Sequence, residues 1–192
     1  MLGEASLPSA ADNIREKEKR TLQLDVLIPR DEIARAVERL ARQINKDYEG
    51  RQLILIGILK GSFVFLADLI RQLDLPLEVD FVRLSSYGAA KETSGRVRVV
   101  HRLETLIQNR DVLVVEDIVD TGITTSFLLR YLRRKKPASL RLCALLDKPA
   151  RRRVPVHIDY LGFTIPDKFV VGYGLDFDQR FRNLPDICVV GD

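Results

Sequence analysis

Val112-Leu113-Val114-Val115 is the segment that most constrains the fold. Four consecutive apolar residues leave no polar face, so a strand here must be covered on both sides, like a central strand between helices. It runs into Glu116-Asp117 and then Asp120-Thr121-Gly122-Ile123-Thr124-Thr125. Apolar residues at helical spacing follow, through Phe127, Leu128, Tyr131 and Leu132. Arg133-Arg134-Lys135-Lys136 and Pro137 close that helix, placing cations where its dipole favours them.

The flanking segments repeat the alternation. Residues 24–28 are a short apolar run stopped by Pro29, and Asp31 is a candidate N-cap. Ile33, Val37, Leu40, Ala41 and Ile44 form one face of an amphipathic helix. Residues 52–58 read as a buried strand, followed by Gly61-Ser62 and a helix with Phe63, Leu66, Ala67, Ile70 and Leu73. Strands are expected at 77–84, 96–103, 140–146, 157–164, 169–173 and 187–190, with a loop at 85–95. Strands alternating with helices predict an α/β fold with a mostly parallel central sheet. The strand-rich C-terminal third implies an appended antiparallel part.

Ligands of an open parallel sheet bind beyond the carboxyl ends of its strands. Here a buried strand delivers two carboxylates, a glycine and three threonines to a helix N-terminus, where backbone N–H groups favour an anion. The loop suits a phosphate. The acidic pair suits sugar hydroxyls or a divalent cation, since it would repel the phosphate itself. A bland alternative is an ordinary helix capped by Asp120. Neither GxxxxGK[ST] nor GxGxxG is present.

These residues resemble the signature of the type I phosphoribosyltransferases, whose acidic pair and DTGxT loop bind 5-phosphoribosyl 1-pyrophosphate. Leu59-Lys60-Gly61-Ser62 is similar to the family's pyrophosphate loop, and Ser85-Ser86-Tyr87-Gly88 to the start of its flexible catalytic lid. Pro166-Asp167-Lys168-Phe169-Val170-Val171-Gly172-Tyr173-Gly174-Leu175-Asp176, with Arg180-Phe181-Arg182-Asn183-Leu184-Pro185, resembles the purine-binding end of bacterial-type hypoxanthine-guanine phosphoribosyltransferases. The likeness runs from about Val26 nearly to the C-terminus.

The resemblance implies a fold and a set of roles. The fold is the type I phosphoribosyltransferase sheet with a small hood formed by the terminal segments. Asp120 would act on the ring proton of the base as the catalytic carboxylate. Glu116 and Asp117 would hold the ribose hydroxyls, directly or through magnesium, and Asp120, Thr121, Gly122, Ile123, Thr124 and Thr125 would surround the 5′-phosphate. Lys60, Gly61 and Arg182 would meet pyrophosphate, with a possible cis peptide before Lys60. Lys148 would donate to the 6-oxo group, Phe169 would stack on the purine and Val170 would read its edge. Asp176, at the purine end, would join Glu116 and Asp117 as a magnesium ligand. Ser85, Ser86, Tyr87 and Gly88 would exclude water as a lid.

The activity so implied is purine salvage: transfer of the phosphoribosyl group to hypoxanthine or guanine with Mg²⁺, in a homodimer or homotetramer. Two alternatives stay open, a xanthine-preferring enzyme and a nucleic-acid-binding regulator on the same fold. The 192 residues carry 31 Lys+Arg against 27 Asp+Glu, a net charge of +4 that alone identifies no partner. No nucleic acid or membrane partner is expected. The length suits one domain, residues 21–192, behind a flexible tail at 1–20. With two cysteines and no signal-peptide pattern, a cytoplasmic setting is expected. Cys143 and Cys188 read as small buried hydrophobes, His101 and His157 as structural, and Arg151-Arg152-Arg153 as a solvated charge run.

Overall fold

A computed structural model describes residues 23–87 and 96–191, without the side chains of Ser86, Tyr87 and Arg96. The expectations for residues 1–20 and Gly88 lie outside the described residues. The elements are β1 (Leu24–Ile28), α1 (Arg30–Asp47), β2 (Leu53–Leu59), α2 (Phe63–Ile70), β3 (Leu77–Tyr87), β4 (Arg96–His101), β5 (Asp111–Val119), α3 (Ile123–Arg133), β6 (Ser139–Asp147), β7 (Tyr160–Thr164), β8 (Val170–Val171) and β9 (Ile187–Val190).

Six strands form one sheet in the order β4-β3-β2-β5-β6-β7, parallel except for the β3–β4 pair. The expected central strand lies between β2 and β6. Alternation along β2 and β5 divides the core. Leu53, Leu55, Leu113 and Val115 pack with Ile33, Leu40 and Ile44 of α1 and Phe65, Leu66 and Leu69 of α2. Ile54, Ile56, Val112 and Val114 pack on the other face with Leu128, Leu129 and Leu132 of α3. Each such aliphatic side chain contributes about 1.5–3 kcal/mol by leaving water.

The second sheet is the hood: β1-β9-β8, wholly antiparallel, joining the N-terminal described strand to the C-terminal segment. Val171, Phe181, Leu184 and Cys188 form its small core. The type I phosphoribosyltransferase architecture implied by the sequence is therefore present, hood included.

Several local expectations change. Helix α1 begins at Arg30 behind Pro29, so Asp31 lies in the first turn instead of capping it. Helix α2 ends at Ile70 and buries Phe65, Leu66 and Leu69, leaving Phe63 and Ala67 on the exposed side. Strand β3 continues through Ser85, Ser86 and Tyr87, which pair with Arg98, Val97 and Arg96 of β4. The sequence places those residues in a loop; antiparallel pairing with β4 extends β3 instead. His101 and His157 are both exposed, and both cysteines are buried and form no disulfide.

Candidate active site

Strand β5 outlasts its apolar run and carries Glu116 and Asp117 inside the strand. Asp120 and Thr121 then lead to Gly122, which takes φ +79° and precedes α3. A left-handed backbone of that kind favours glycine. Gly122 is also crowded, since a Cβ there would stand 2.3 Å from Val154 O. The helix therefore has no side-chain cap from Asp120. Thr121 Oγ1 instead accepts from Ile123 N at 3.4 Å.

Removing the capping role leaves Asp120 available. Its Oδ1 is buried without a hydrogen-bond partner, and its Oδ2 lies 3.7 Å from Arg151 Nη1. Burial first, and then the neighbouring Asp117 carboxylate, push Glu116 well above the usual carboxylate range. Burial raises Asp117 as well, against hydrogen bonds and the Arg182 guanidinium. Two adjacent carboxylates held this way gain from an arriving cation or from hydroxyl donors.

The turn after β2 closes on the same place. The Leu59–Lys60 peptide is cis, and Gly61 lies directly against Asp117. A Cβ on Gly174 would in turn stand 2.2 Å from Gly61 O. Lys60 Nζ donates to Gln179 Oε1 at 3.0 Å. Gln179 N donates to Asp176 Oδ2 at 2.8 Å, and Arg182 Nη2 meets Asp176 Oδ1 at 2.7 Å. Arg182 Nη1 also donates to Gly174 O at 2.7 Å. The two expected pyrophosphate cations thus sit in one network through Gln179, a residue without any local sequence signal.

The purine end forms beyond β6. Lys148 N donates to Val119 O at 2.9 Å, so Lys148 stands beside the end of β5. Its side chain, 5% exposed, is aimed by a 2.8 Å bond from Nζ to Lys168 O, with Asp167 Oδ1 at 3.9 Å. Phe169 remains 51% exposed and packs edge-on against Phe177, centroids 5.7 Å apart. Val170 is buried at the start of β8. Phe177 is the second aromatic here and was not singled out by the sequence, where it reads as a loop residue.

Of the expected lid residues, Ser85, Ser86 and Tyr87 lie on β3, and Ser85 Oγ accepts from Arg98 Nε at 3.3 Å. The three proposed metal carboxylates do not converge: among the described residues no cluster of three or more His, Cys, Asp or Glu could hold an ion. Glu116 and Asp117 form a pair, and Asp176 belongs to the Arg182 network. The donor chemistry still fits Mg²⁺, an oxygen-seeking ion that binds through one or two carboxylates and substrate phosphates.

Arg152 departs from the expected solvated run. Its guanidinium contacts Asp120 O, Val119 O and the Asp147 carboxylate. Arg151 and Arg153 are exposed.

Residues 28–178 match the phosphoribosyl transferase domain. The chain is 47% identical over 164 residues to the hypoxanthine phosphoribosyltransferase of Salmonella typhimurium, covering 84% of this chain and 92% of that protein. It is 45% identical over 165 residues to the bifunctional protein TilS/HprT of Listeria monocytogenes, covering 86% of this chain. It spans about a quarter of that longer relative, 26% of its length. A crystal structure of a hypoxanthine-guanine phosphoribosyltransferase from Bacillus anthracis, with HEPES in its active site, superposes with a TM-score of 0.83 at 46% identity. That match covers 87% of this chain and 98% of the other.

Proposed function

The chain belongs to the phosphoribosyl transferase family, and from that premise we propose that it transfers the phosphoribosyl group of 5-phosphoribosyl 1-pyrophosphate to hypoxanthine or guanine in purine salvage. A ring nitrogen of the base forms a bond to the anomeric carbon while the bond to pyrophosphate breaks. The ring proton leaves the base, and the products are IMP or GMP and pyrophosphate.

The observation that supports this most directly is the meeting of separate segments at one sheet edge. The turn after β2 packs on Asp117 and Gly174, and Lys60 reaches the Asp176–Arg182 network through Gln179. In the reading, Lys60 and Arg182 take the leaving pyrophosphate, for which multiply charged hydrogen bonds are well suited. Asp120 accepts the ring proton through its unpartnered Oδ1 and stabilises positive charge on the sugar and base. Glu116 and Asp117 hold the ribose hydroxyls, and residues 121–125 hold the 5′-phosphate. Lys148 donates to the 6-oxo group, Phe169 offers a ring face and Val170 its backbone. Residues 85–88 close over the reaction as a lid.

The Glu116–Asp117 pair would hold Mg²⁺ together with the substrate, while Asp176 stays with Arg182. The ion, when bound, neutralises charge on the sugar pyrophosphate. Chemistry here is mainly positioning and electrostatics, without a covalent enzyme intermediate. The same reading carries a single domain over residues 21–192, an assembly of two or four copies and a cytoplasmic setting. The two buried cysteines form no disulfide, which suits a reducing compartment, and no helix among the described residues is long and apolar enough to cross a membrane.

Rates with hypoxanthine, guanine, xanthine and adenine test the proposal. Nucleotide formation from the first two supports it, and xanthine as the preferred base would move the enzyme to the xanthine class. No base consumed, with an oligonucleotide bound in a steeply salt-dependent manner, would make the chain a regulator.

A further inference from the structure

Arg152 lies within a run of three arginines, yet its side chain is only 18% exposed. Its Nε donates to Asp120 O at 2.9 Å and its Nη2 to Val119 O at 3.1 Å, while Nη2 also meets the Asp147 carboxylate. The backbone of the same turn extends the grip. Arg153 N and Val154 N both donate to Thr121 O, at 2.9 and 3.0 Å. Three consecutive carbonyls, those of Val119, Asp120 and Thr121, are therefore held from one side.

That grip has a consequence fixed by covalent geometry. The peptide units here are trans, the cis bond among the described residues being Leu59–Lys60. In a planar trans peptide the carbonyl points opposite to the next N–H. Holding these three carbonyls turns the N–H groups of Asp120, Thr121 and Gly122 to the far side of the loop. Donors aligned on that side are what a phosphate needs. A guanidinium suits the task, because its rigid fork can serve two carbonyls and a carboxylate at once; an ammonium lacks that fixed geometry. The carboxylate it binds belongs to Asp147, next to Lys148, whose own N–H donates to Val119 O at 2.9 Å. Arg152 thus joins the phosphate loop to the segment proposed to read the base.

We propose that Arg152 is a positioning residue for phosphoribosyl transfer. It aims the N–H groups of the loop after β5 at the 5′-phosphate and keeps Asp120 in register with Lys148. The proposal rests on the phosphoribosyltransferase reading above.

The test compares the wild type with Arg152→Ala, Arg152→Lys and Arg134→Ala, the last removing the same charge from the exposed end of α3. Steady-state kinetics with hypoxanthine is run beside calorimetric binding of ribose 5-phosphate. A wild type that forms no IMP overturns the activity reading, and ribose 5-phosphate binding then still decides the role of Arg152. Arg152→Ala is expected to raise the KM for 5-phosphoribosyl 1-pyrophosphate and the Kd for ribose 5-phosphate by roughly tenfold or more, and to lower kcat by up to about a hundredfold. The KM for hypoxanthine should move less. Millimolar guanidinium should restore part of the lost binding to Arg152→Ala. Arg152→Lys should stay nearer to Ala than to the wild type, and Arg134→Ala should match the wild type. Unchanged ribose 5-phosphate binding in folded Arg152→Ala would overturn the proposal. If Arg152→Ala does not fold, the same binding measured on Arg152→Lys decides.

Discussion

Gly61 and Asp117 stand in direct contact across the sheet edge: a Cβ on Gly61 would lie 1.5 Å from Asp117 Oδ2 and 2.5 Å from its Cγ. The turn after β2 and the acidic pair on β5 are therefore fitted to each other, with no room for a methyl group between them. Gly61 is pressed from behind as well, since its carbonyl oxygen would stand 2.2 Å from a Cβ on Gly174.

Gly61→Ala should therefore displace the Asp117 carboxylate instead of being absorbed by relaxation of the turn. Overpacking of this kind costs about 1–3 kcal/mol of stability. Because Asp117 is proposed to hold the ribose, turnover should fall by about a hundredfold, more than the stability loss explains. Thermal melts and steady-state rates on the same preparation check this. A variant with wild-type kcat would show that Asp117 can shift without consequence for the reaction.

Asp120→Asn tests the carboxylate at the end of the same strand. The amide keeps the shape and removes the proton acceptor and the charge. Its Oδ1 is buried and unpartnered in the free protein, so the amide breaks no hydrogen bond at that atom. Turnover should drop by about 10²–10⁴-fold while KM values change modestly. Single-turnover rates give the chemical step directly, and an unchanged rate would remove Asp120 from the reaction.

A third prediction concerns stability and pH. Asp80 is buried on β3 and accepts from Phe81 N at 2.6 Å, Glu104 N at 2.9 Å and Thr105 N at 2.8 Å. Burial alone would raise its pKa, but the hydrogen bonds from Thr105, Phe81 and Glu104 outweigh it and hold the group below the usual aspartate value. With a folded pKa below the unfolded one, its stabilisation is complete above the unfolded value and fades as the pH falls through the folded one. Asp80→Asn should cost about 1–3 kcal/mol near neutral pH, because one amide oxygen cannot serve donors at both carboxylate oxygens. Urea denaturation at pH 7 and near pH 3 should show the gap between the two proteins narrowing in acid. An equal gap at both pH values would count against the ionised carboxylate as the cause.

Asp80 also shows what a sequence of this kind hides. The Val112–Val115 run, the acidic pair and the Thr-rich loop are local patterns, and the pleat and the helix start that carry them follow from spacing alone. Asp80 gains its meaning from amides 24 and 25 residues away, and Arg152 from carbonyls 32 and 33 residues away. Nothing near either residue marks it. The run at 151–153 reads as solvated because charge runs usually are, yet the fold draws its middle member inward. Ser85, Ser86 and Tyr87 read as loop because their strand character comes from pairing with β4. Helix α2 starts at Phe63 as the pattern has it, but it ends at Ile70, short of Leu73, and leaves Phe63 and Ala67 exposed. In eight residues an apolar helix offers several possible faces, and only the packed sheet selects Phe65, Leu66 and Leu69.

The last prediction concerns choice of base. The Lys148 ammonium is buried and its Nζ donates to Lys168 O at 2.8 Å. That bond uses one of its three donors, leaving others for a 6-oxo group on a purine held against Phe169. Adenine carries an amino group at that position, so it would set donor against donor and leave the buried ammonium unsatisfied. A site built around such a hydrogen bond can discriminate by about 10⁴-fold or more. Lys148→Met keeps the length and apolar stem of the side chain and removes the donor. It should lower kcat/KM for hypoxanthine and guanine by at least about a hundredfold while leaving adenine, already poor, nearly where it was. The ratio of kcat/KM for hypoxanthine over adenine should therefore collapse, and that ratio is insensitive to the fraction of folded enzyme. A ratio that stays at the wild-type value, with both bases slowed alike, would mean that Lys148 supports the loop at Lys168 and takes no part in reading the base.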